Sequence, residues 1–203
     1  MTLVTYSIVP IVEGFSEVES VPVLMRRLRD NWGEYHLEIA KPVRVKRYRV
    51  IKKGELERRV QMAMTRPNCK AVMVILDADD DCPKDTAMEL LKRAKVIAQD
   101  TTVSVVLPKS ELESWFVGSI ESLRGVRSIS ANACSPNDPE TIRSAKEFLT
   151  SLMKRHYVET IDQPAFAAKF DMTKALENCR SFRKFHDDFR RIVDSLSPKV
   201  ETT

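Results

Sequence analysis

The segment Lys70-Ala71-Val72-Met73-Val74-Ile75-Leu76 constrains this 203-residue chain most, because an unbroken apolar run is closed at once by Asp77-Ala78-Asp79-Asp80-Asp81. A half-buried strand alternates apolar and polar residues, whereas a strand covered on both faces is apolar throughout, as in parallel sheets packed between helices. The run is far shorter than the ~18 apolar residues a membrane span needs, and no other stretch approaches that length. It predicts a central parallel strand whose carboxyl end carries a dense group of acids.

The flanking sequence repeats the alternation of strand and helix. Residues 3–12 are a β-rich apolar run broken by Glu13-Gly14. Ser16, with Glu19 three residues later, predicts a capping box for a helix through Val18, Val21, Leu24, Met25 and Leu28 to about Asp30. Residues 36–51 partly alternate (Val43, Val45, Tyr48, Val50), predicting a half-exposed strand or strand pair, and Gly54 precedes a short helix over 55–65. Pro83 suits the first turn of a helix through Met88, Leu91, Ala94 and Ile97. Thr102–Leu107 predicts another strand, and Leu112, Trp115, Phe116 and Ile120 predict a helix over 110–123. After a loop at 125–139, residues 140–155, 164–178 and 181–195 predict helices. The alternation β-α-β-α-β-α-β-α defines an α/β fold with a Rossmannoid parallel sheet flanked by helices. The expected organisation is a core at 1–125 with a helical C-terminal extension at 126–203 packed on the same domain.

Composition removes several function classes. Cys69, Cys82, Cys134 and Cys179 form no C-x-x-C pair, which argues against a zinc ribbon or a disulfide scaffold. Only five glycines and no G-x-x-x-x-G-K-[ST] argue against a P-loop enzyme. The N-terminal residues lack the basic start and small-residue cleavage site of a signal peptide, so the expected location is cytoplasmic, with no membrane association.

The net charge of +4 conceals segregation. Nine bases between Lys41 and Arg59 face only Glu55 and Glu57, while Asp77, Asp79, Asp80, Asp81 and Asp85 crowd around Lys84. Ligands of open α/β sheets bind at the carboxyl ends of the strands, and Glu13, Asp77 and Asp79 follow two such ends. Alternate residues of an extended backbone point the same way, so Asp77 and Asp79 are expected to bind one ion together. Oxygen donors without Cys or His companions select a hard cation, Mg²⁺ or Mn²⁺. Such ions activate water and stabilise the leaving oxygen of a phosphodiester. Asp80, Asp81 and Asp85 also fit the simpler role of turn formers or helix caps; Asp81 is retained as a candidate ligand.

Val12-Glu13-Gly14 and Leu76-Asp77-Ala78-Asp79 together resemble the Toprim domain shared by topoisomerases, DnaG-type primases and OLD-family nucleases. Val12–Glu17, Asp77–Asp81, Pro108–Phe116 and Cys179–Phe185 resemble, more narrowly, the Toprim-like domain-of-unknown-function family 4276. Its members often lie beside genes for AAA-type ATPases. The Toprim likeness covers roughly 1–120 and the family likeness nearly the whole chain. The resemblance implies Glu13 as metal ligand or general acid/base, and Asp77 and Asp79 as magnesium ligands. It implies Glu17 and Glu113, with Glu111 behind them, for a second ion, and Lys109 and Ser110 near a scissile phosphate. Glu13, Asp77, Asp79, Glu113 and Lys109 are thus the candidate catalytic residues. A topoisomerase also needs a tyrosine nucleophile in a separate large domain and a primase its accessory domains, so neither activity is expected of these 203 residues.

The basic stretch offers a nucleic-acid surface, since Lys and Arg neutralising phosphates dominate such affinity. Arg44, Lys46 and Tyr48 are expected on one strand face and Arg47 and Arg49 on the other, with Lys52 and Lys53 following; a solvated edge strand is the alternative. Phe182, Phe185 and Phe189 predict the buried stripe of a helix. The expected function is Mg²⁺-dependent phosphodiester cleavage, by a DNA endonuclease or nickase acting with a partner ATPase. A non-catalytic subunit of an AAA-type ATPase complex and a metal-dependent phosphatase are the alternatives.

Overall fold

Residues 69–75 form the strand around which the molecule is built, as shown by a computed structural model that describes residues 5–197. The chain runs β1 (Tyr6–Val12), α1 (Phe15–Asn31), β2 (Leu37–Ile39), β3 (Val43–Arg44), α2 (Arg47–Val50), α3 (Glu55–Met64), β4 (Cys69–Ile75), α4 (Pro83–Ala98) and β5 (Thr102–Val106). There follow α5 (Ser114–Val117), short 3₁₀ turns, and α6 (Ala145–Ser151), α7 (Glu159–Ala167), α8 (Met172–Asn178) and α9 (Arg180–Leu196). Leu3 and Val4 of the expected first strand, and 198–203 of the C-terminal extension, lie outside the described residues.

All strand pairs are parallel, in the order β2-β1-β4-β5, with β3 also on β1. The predicted α/β class and parallel sheet are therefore present. β2 and β3 share one edge of β1: Tyr6 pairs with Leu37 and Val12 with Arg44. Pro42 has no N–H to give to the ladder, so the edge strand is interrupted there. Strands on opposite sides of β1 are reached from its two flanks, so the order reverses between β1 and β4. That is the switch point at which open α/β sheets bind ligands.

β4 alternates across the sheet as a doubly covered strand must. Ala71, Met73 and Ile75 join one buried cluster with α1 and the C-terminal helices, while Val72, Val74 and Leu76 join another with α3 and α4. The first cluster also contains Trp115, Phe116, Phe166, Phe170, Phe182, Phe185 and Phe189, all fully buried. The phenylalanine stripe of α9 is thus core, and the C-terminal helices form the second face of the sandwich. No described helix is long and apolar enough to cross a membrane.

Several local expectations are corrected. α1 starts at Phe15 with Gly14 as its N-cap, so the Ser16–Glu19 capping box does not form. Ser16 sits inside the first turn and donates to Glu17 Oε2 at 3.0 Å and to Glu159 Oε1 at 2.7 Å. Residues 47–50 are helix rather than strand, which removes the expected two-faced arrangement of Arg44, Lys46, Arg47, Tyr48 and Arg49. The helix expected over 110–123 shrinks to α5 followed by a 3₁₀ turn. A Cβ on Gly118 would meet Cys179 Sγ at 2.4 Å, so close packing against α9's start shapes the chain there. Residues 164–178 divide into the end of α7 and α8.

Candidate metal centre at the strand ends

Glu13 and Asp77 extend from the carboxyl ends of the adjacent strands β1 and β4, so the sheet register itself brings them together. The ladder continues past β4: Leu76 N–H donates to Val106 O, Ala78 N–H to Pro108 O and Asp79 N–H to Ser110 O. These bonds lay the Asp77–Asp79 turn against the Pro108–Glu113 segment. Asp77 Oδ1 accepts the Leu112 N–H at 2.9 Å.

The two members of the Asp-x-Asp pair do not point the same way. Asp79 adopts a left-handed backbone with φ 49°, so the alternation rule for extended chain fails there. Asp77 turns inward toward Glu113 and Glu17, whereas the Asp79 side chain is 61% exposed and meets Arg47 Nε at 3.0 Å. Asp81 also contacts the Arg47 guanidinium, and the Asp77 carbonyl accepts from it. The Arg47 N–H donates to Glu13 Oε1 at 3.3 Å. Arg47 is buried and committed to these acids, which removes it from the expected phosphate-binding surface.

Behind this outer layer lies a buried acidic layer. Gly14 lets it form: a Cβ there would lie 2.2 Å from Glu17 Oε2. Glu113 is fully buried. Its Oε1 accepts from Tyr157 Oη and Gln163 Nε2, each at 3.0 Å, while its Oε2 has no partner. Gln163 in turn accepts from Ser20 at 2.6 Å. Ser16 and Ser20, one turn apart on α1, thereby tie α7 along the site through Glu159 and Gln163. Lys146 Nζ lies 3.6 Å from both Glu111 and Glu159.

The electrostatics follow from burial and crowding. Burial, with Glu113 and Glu17 nearby, pushes the Asp77 carboxyl well above the usual range, against an opposing pull from Lys146. Burial raises Glu113 to about 7, although Lys146 opposes the shift. Glu13 is raised by burial, partly offset by the Arg47 N–H and reinforced by Asp79 and Glu17. Burial would lower the Lys146 ammonium, but Glu113, Glu159, Glu111 and Asp77 outweigh it and drive its pKa upward.

Among the predicted site residues, Glu13, Glu17, Asp77 and Glu113 share the inner layer, and Asp79 and Asp81 the outer one. Lys109 lines an open cleft of ≈ 300 Å³ with Asp79, Asp80, Ser110, Thr141 and Arg143. Arg143 pairs there with Asp80 at 2.6 Å, both side chains being exposed. Lys146, Tyr157, Gln163 and Glu159 belong to the site and escaped sequence reasoning. They lie more than thirty residues from Glu113, on the short helices α6 and α7 and, for Tyr157, the segment between them, and carry no local motif.

Oxygen donors with an unpartnered buried carboxylate atom suit a hard divalent cation. The set is not closed around one point: among the described residues no three His, Cys, Asp or Glu side chains group as a metal cage. The Arg47 guanidinium meets Asp79 and Asp81, and the Lys146 ammonium lies beside Glu111 and Glu159. Fold and site together define an open parallel α/β protein with an acidic site at its topological switch point. The chain belongs to the family described as Domain of unknown function (DUF4276), whose model matches residues 12–190. No curated protein and no solved structure matches the chain.

Proposed function

We propose that the acidic site holds Mg²⁺ or Mn²⁺ and hydrolyses phosphodiesters in DNA, in the manner of a Toprim-type nuclease. The observation that carries this reading is the acidic layer at the β1/β4 switch point, with its unpartnered Glu113 oxygen. Glu13, Glu17, Asp77 and Glu113 are the residues that would hold the metal from the inner layer, and Asp79 and Asp81 from the outer. A hard cation supplies charge neutralisation at the phosphate and a more acidic water. The chain's own contributions are separable. Without the metal, burial raises Glu113 to about 7, so its carboxyl exchanges a proton near neutral pH; as a metal ligand it would be held as the carboxylate. Lys109, Ser110 and Arg143 line the cleft beside Asp79 and suit the oxygens of a bound phosphate.

The test is cleavage of supercoiled and linear DNA by purified protein with Mg²⁺ or Mn²⁺. Wild type is expected to nick or cut, and Asp77→Asn to lose activity with unchanged circular dichroism. Cutting that persists in Asp77→Asn contradicts the assignment.

A second reading is favoured by one observation: Arg47 and Lys146 already offset part of the acids' charge, and among the described residues no cage is closed. In that reading the chain is a cytoplasmic, non-catalytic subunit of a partner AAA-type ATPase. Co-purification with an ATPase encoded beside its gene, together with no cleavage by the complex, distinguishes it. Turnover of small phosphoesters but not DNA would point instead to a phosphatase.

A further inference from the structure

Ion pairing sorts the basic stretch into two kinds of cation. Arg58 and Arg59 pair with Glu55, Arg93 pairs with Glu57, and Arg47 is held by Asp79 and Asp81. Lys41, Arg44, Lys46, Arg49, Lys52 and Lys53 enter no ion pair among the described residues, and all but half-buried Arg44 are exposed. Two aromatic rings are interleaved with them. Phe15 is 69% exposed and Tyr48 is 55% exposed; Tyr35, the other exposed aromatic side chain among the described residues, has no cation over its ring.

A single exposed ring needs no explanation, but these two are matched in construction and place. The Arg44 guanidinium lies 3.8 Å from the Phe15 ring centroid. Lys46 Nζ and Arg49 Cζ lie 5.9 and 5.8 Å from that of Tyr48. Phe15 stands two residues after Glu13. Tyr48 directly follows Arg47, whose N–H binds the Glu13 carboxylate. β3 carries Arg44 in register with Val12, so both ring–cation groups border the same strand end.

Unpaired cations beside open rings match a ligand with regularly spaced phosphates and accessible π faces. Single-stranded nucleic acid has both, and base stacking on aromatic side chains recurs in proteins that bind it. A duplex keeps its base faces stacked inside and offers phosphates and groove edges but no open base face. We infer that the rim formed by Phe15, Arg44, Lys46, Tyr48 and Arg49 binds single-stranded nucleic acid, with bases on the rings and phosphates on the cations. The rim borders Glu13, so a bound strand runs past the acidic site; what happens to it there rests on the phosphodiester reading above.

The experiment measures binding without chemistry. Full-length protein in EDTA is titrated into a fluorescein-labelled oligothymidine single strand and into a blunt duplex of equal length, with anisotropy as the readout. Phe15→Leu and Tyr48→Leu keep the charge and an apolar side chain. Each is expected to weaken single-strand binding about 5- to 150-fold, the range of one base–aromatic stack. Duplex binding is expected to change less than about twofold, because the phosphate contacts persist. Val96→Ala, an exposed apolar position on α4, is expected to change neither. Arg49→Gln is expected to flatten the single-strand salt dependence by about 0.7 in slope.

Wild type that ignores single strands at low salt overturns the inference. So do Leu variants that bind single strands as wild type does, or that lose both ligands equally, as a protein-docking or purely electrostatic surface would. Cleavage is scored separately with Mn²⁺. Single-strand binding without cleavage contradicts the nuclease reading and leaves the rim intact, whereas cleavage with unaffected Leu variants does the reverse.

Discussion

Glu113 concentrates the site's chemistry in one side chain. It is fully buried, its Oε1 is fastened by Tyr157 and Gln163, and its Oε2 is unpartnered. Its pKa is raised by burial from 4.5 to about 7, so the folded protein holds a proton that the unfolded chain releases. Stability from this group is complete below about pH 4.5 and is lost as pH rises through about 7. Metal-free protein is therefore expected to melt at lower temperature at pH 8 than at pH 5.5. Glu113→Gln is expected to remove much of that slope, raising stability at pH 8 by an amount of order 3 kcal/mol or less. Thermal melts across this pH range check both, and a slope identical in wild type and variant contradicts the account. Gly14 acts on the same layer through the space it leaves for Glu17. Gly14→Ala is expected to displace that carboxylate and weaken Mn²⁺ binding about 10- to 100-fold, the usual scale for disturbing the support of a metal ligand. Calorimetric titration measures it.

The elements differ in how openly the sequence announces them, and the reasons are physical. β1, β4 and β5 are apolar runs because both faces of the sheet are covered, and such runs are visible without any structure. Proline at the first turn marks α4 equally well. The partial alternation over 36–51 predicts a strand or strand pair, and 37–39 and 43–44 are strands, but 47–50 is helix, which alternation alone does not distinguish. The ladder on β1 ends at the Val45 N–H bond to Val12 O, and the chain then coils into α2. The direction of Asp79 was equally hidden, since a left-handed residue reverses the facing that an extended chain would give. Glu13 and Asp77 were legible because strand ends are; Lys146 and Gln163 were not, because tertiary packing alone brings them there. α9 was legible from its phenylalanine spacing, and its burial against the sheet carries a consequence. Phe185→Ala is expected to cost about 3–5 kcal/mol, read by urea denaturation. A loss below about 1 kcal/mol would mean that the C-terminal helices contribute little to the core.

Across the whole molecule, the near-neutral total charge is a balance of separate regions. Carboxylates gather at the switch point between β1 and β4, and unpaired cations line the neighbouring edge at β3 and α2. In the structure Arg47 and Lys146 stand among the acids and relieve part of their repulsion. A divalent cation bound only by the folded state would relieve more of it and stabilise the fold in proportion to its occupancy. The most direct measurement is electron paramagnetic resonance of Mn²⁺ titrated into the full chain at pH 7.5, following free Mn²⁺, for wild type, Asp77→Asn and Glu13→Gln. The account predicts saturable depletion of free Mn²⁺ by wild type and its loss in both variants, with folded circular dichroism throughout. No depletion by wild type, or equal depletion by all three proteins, would contradict it.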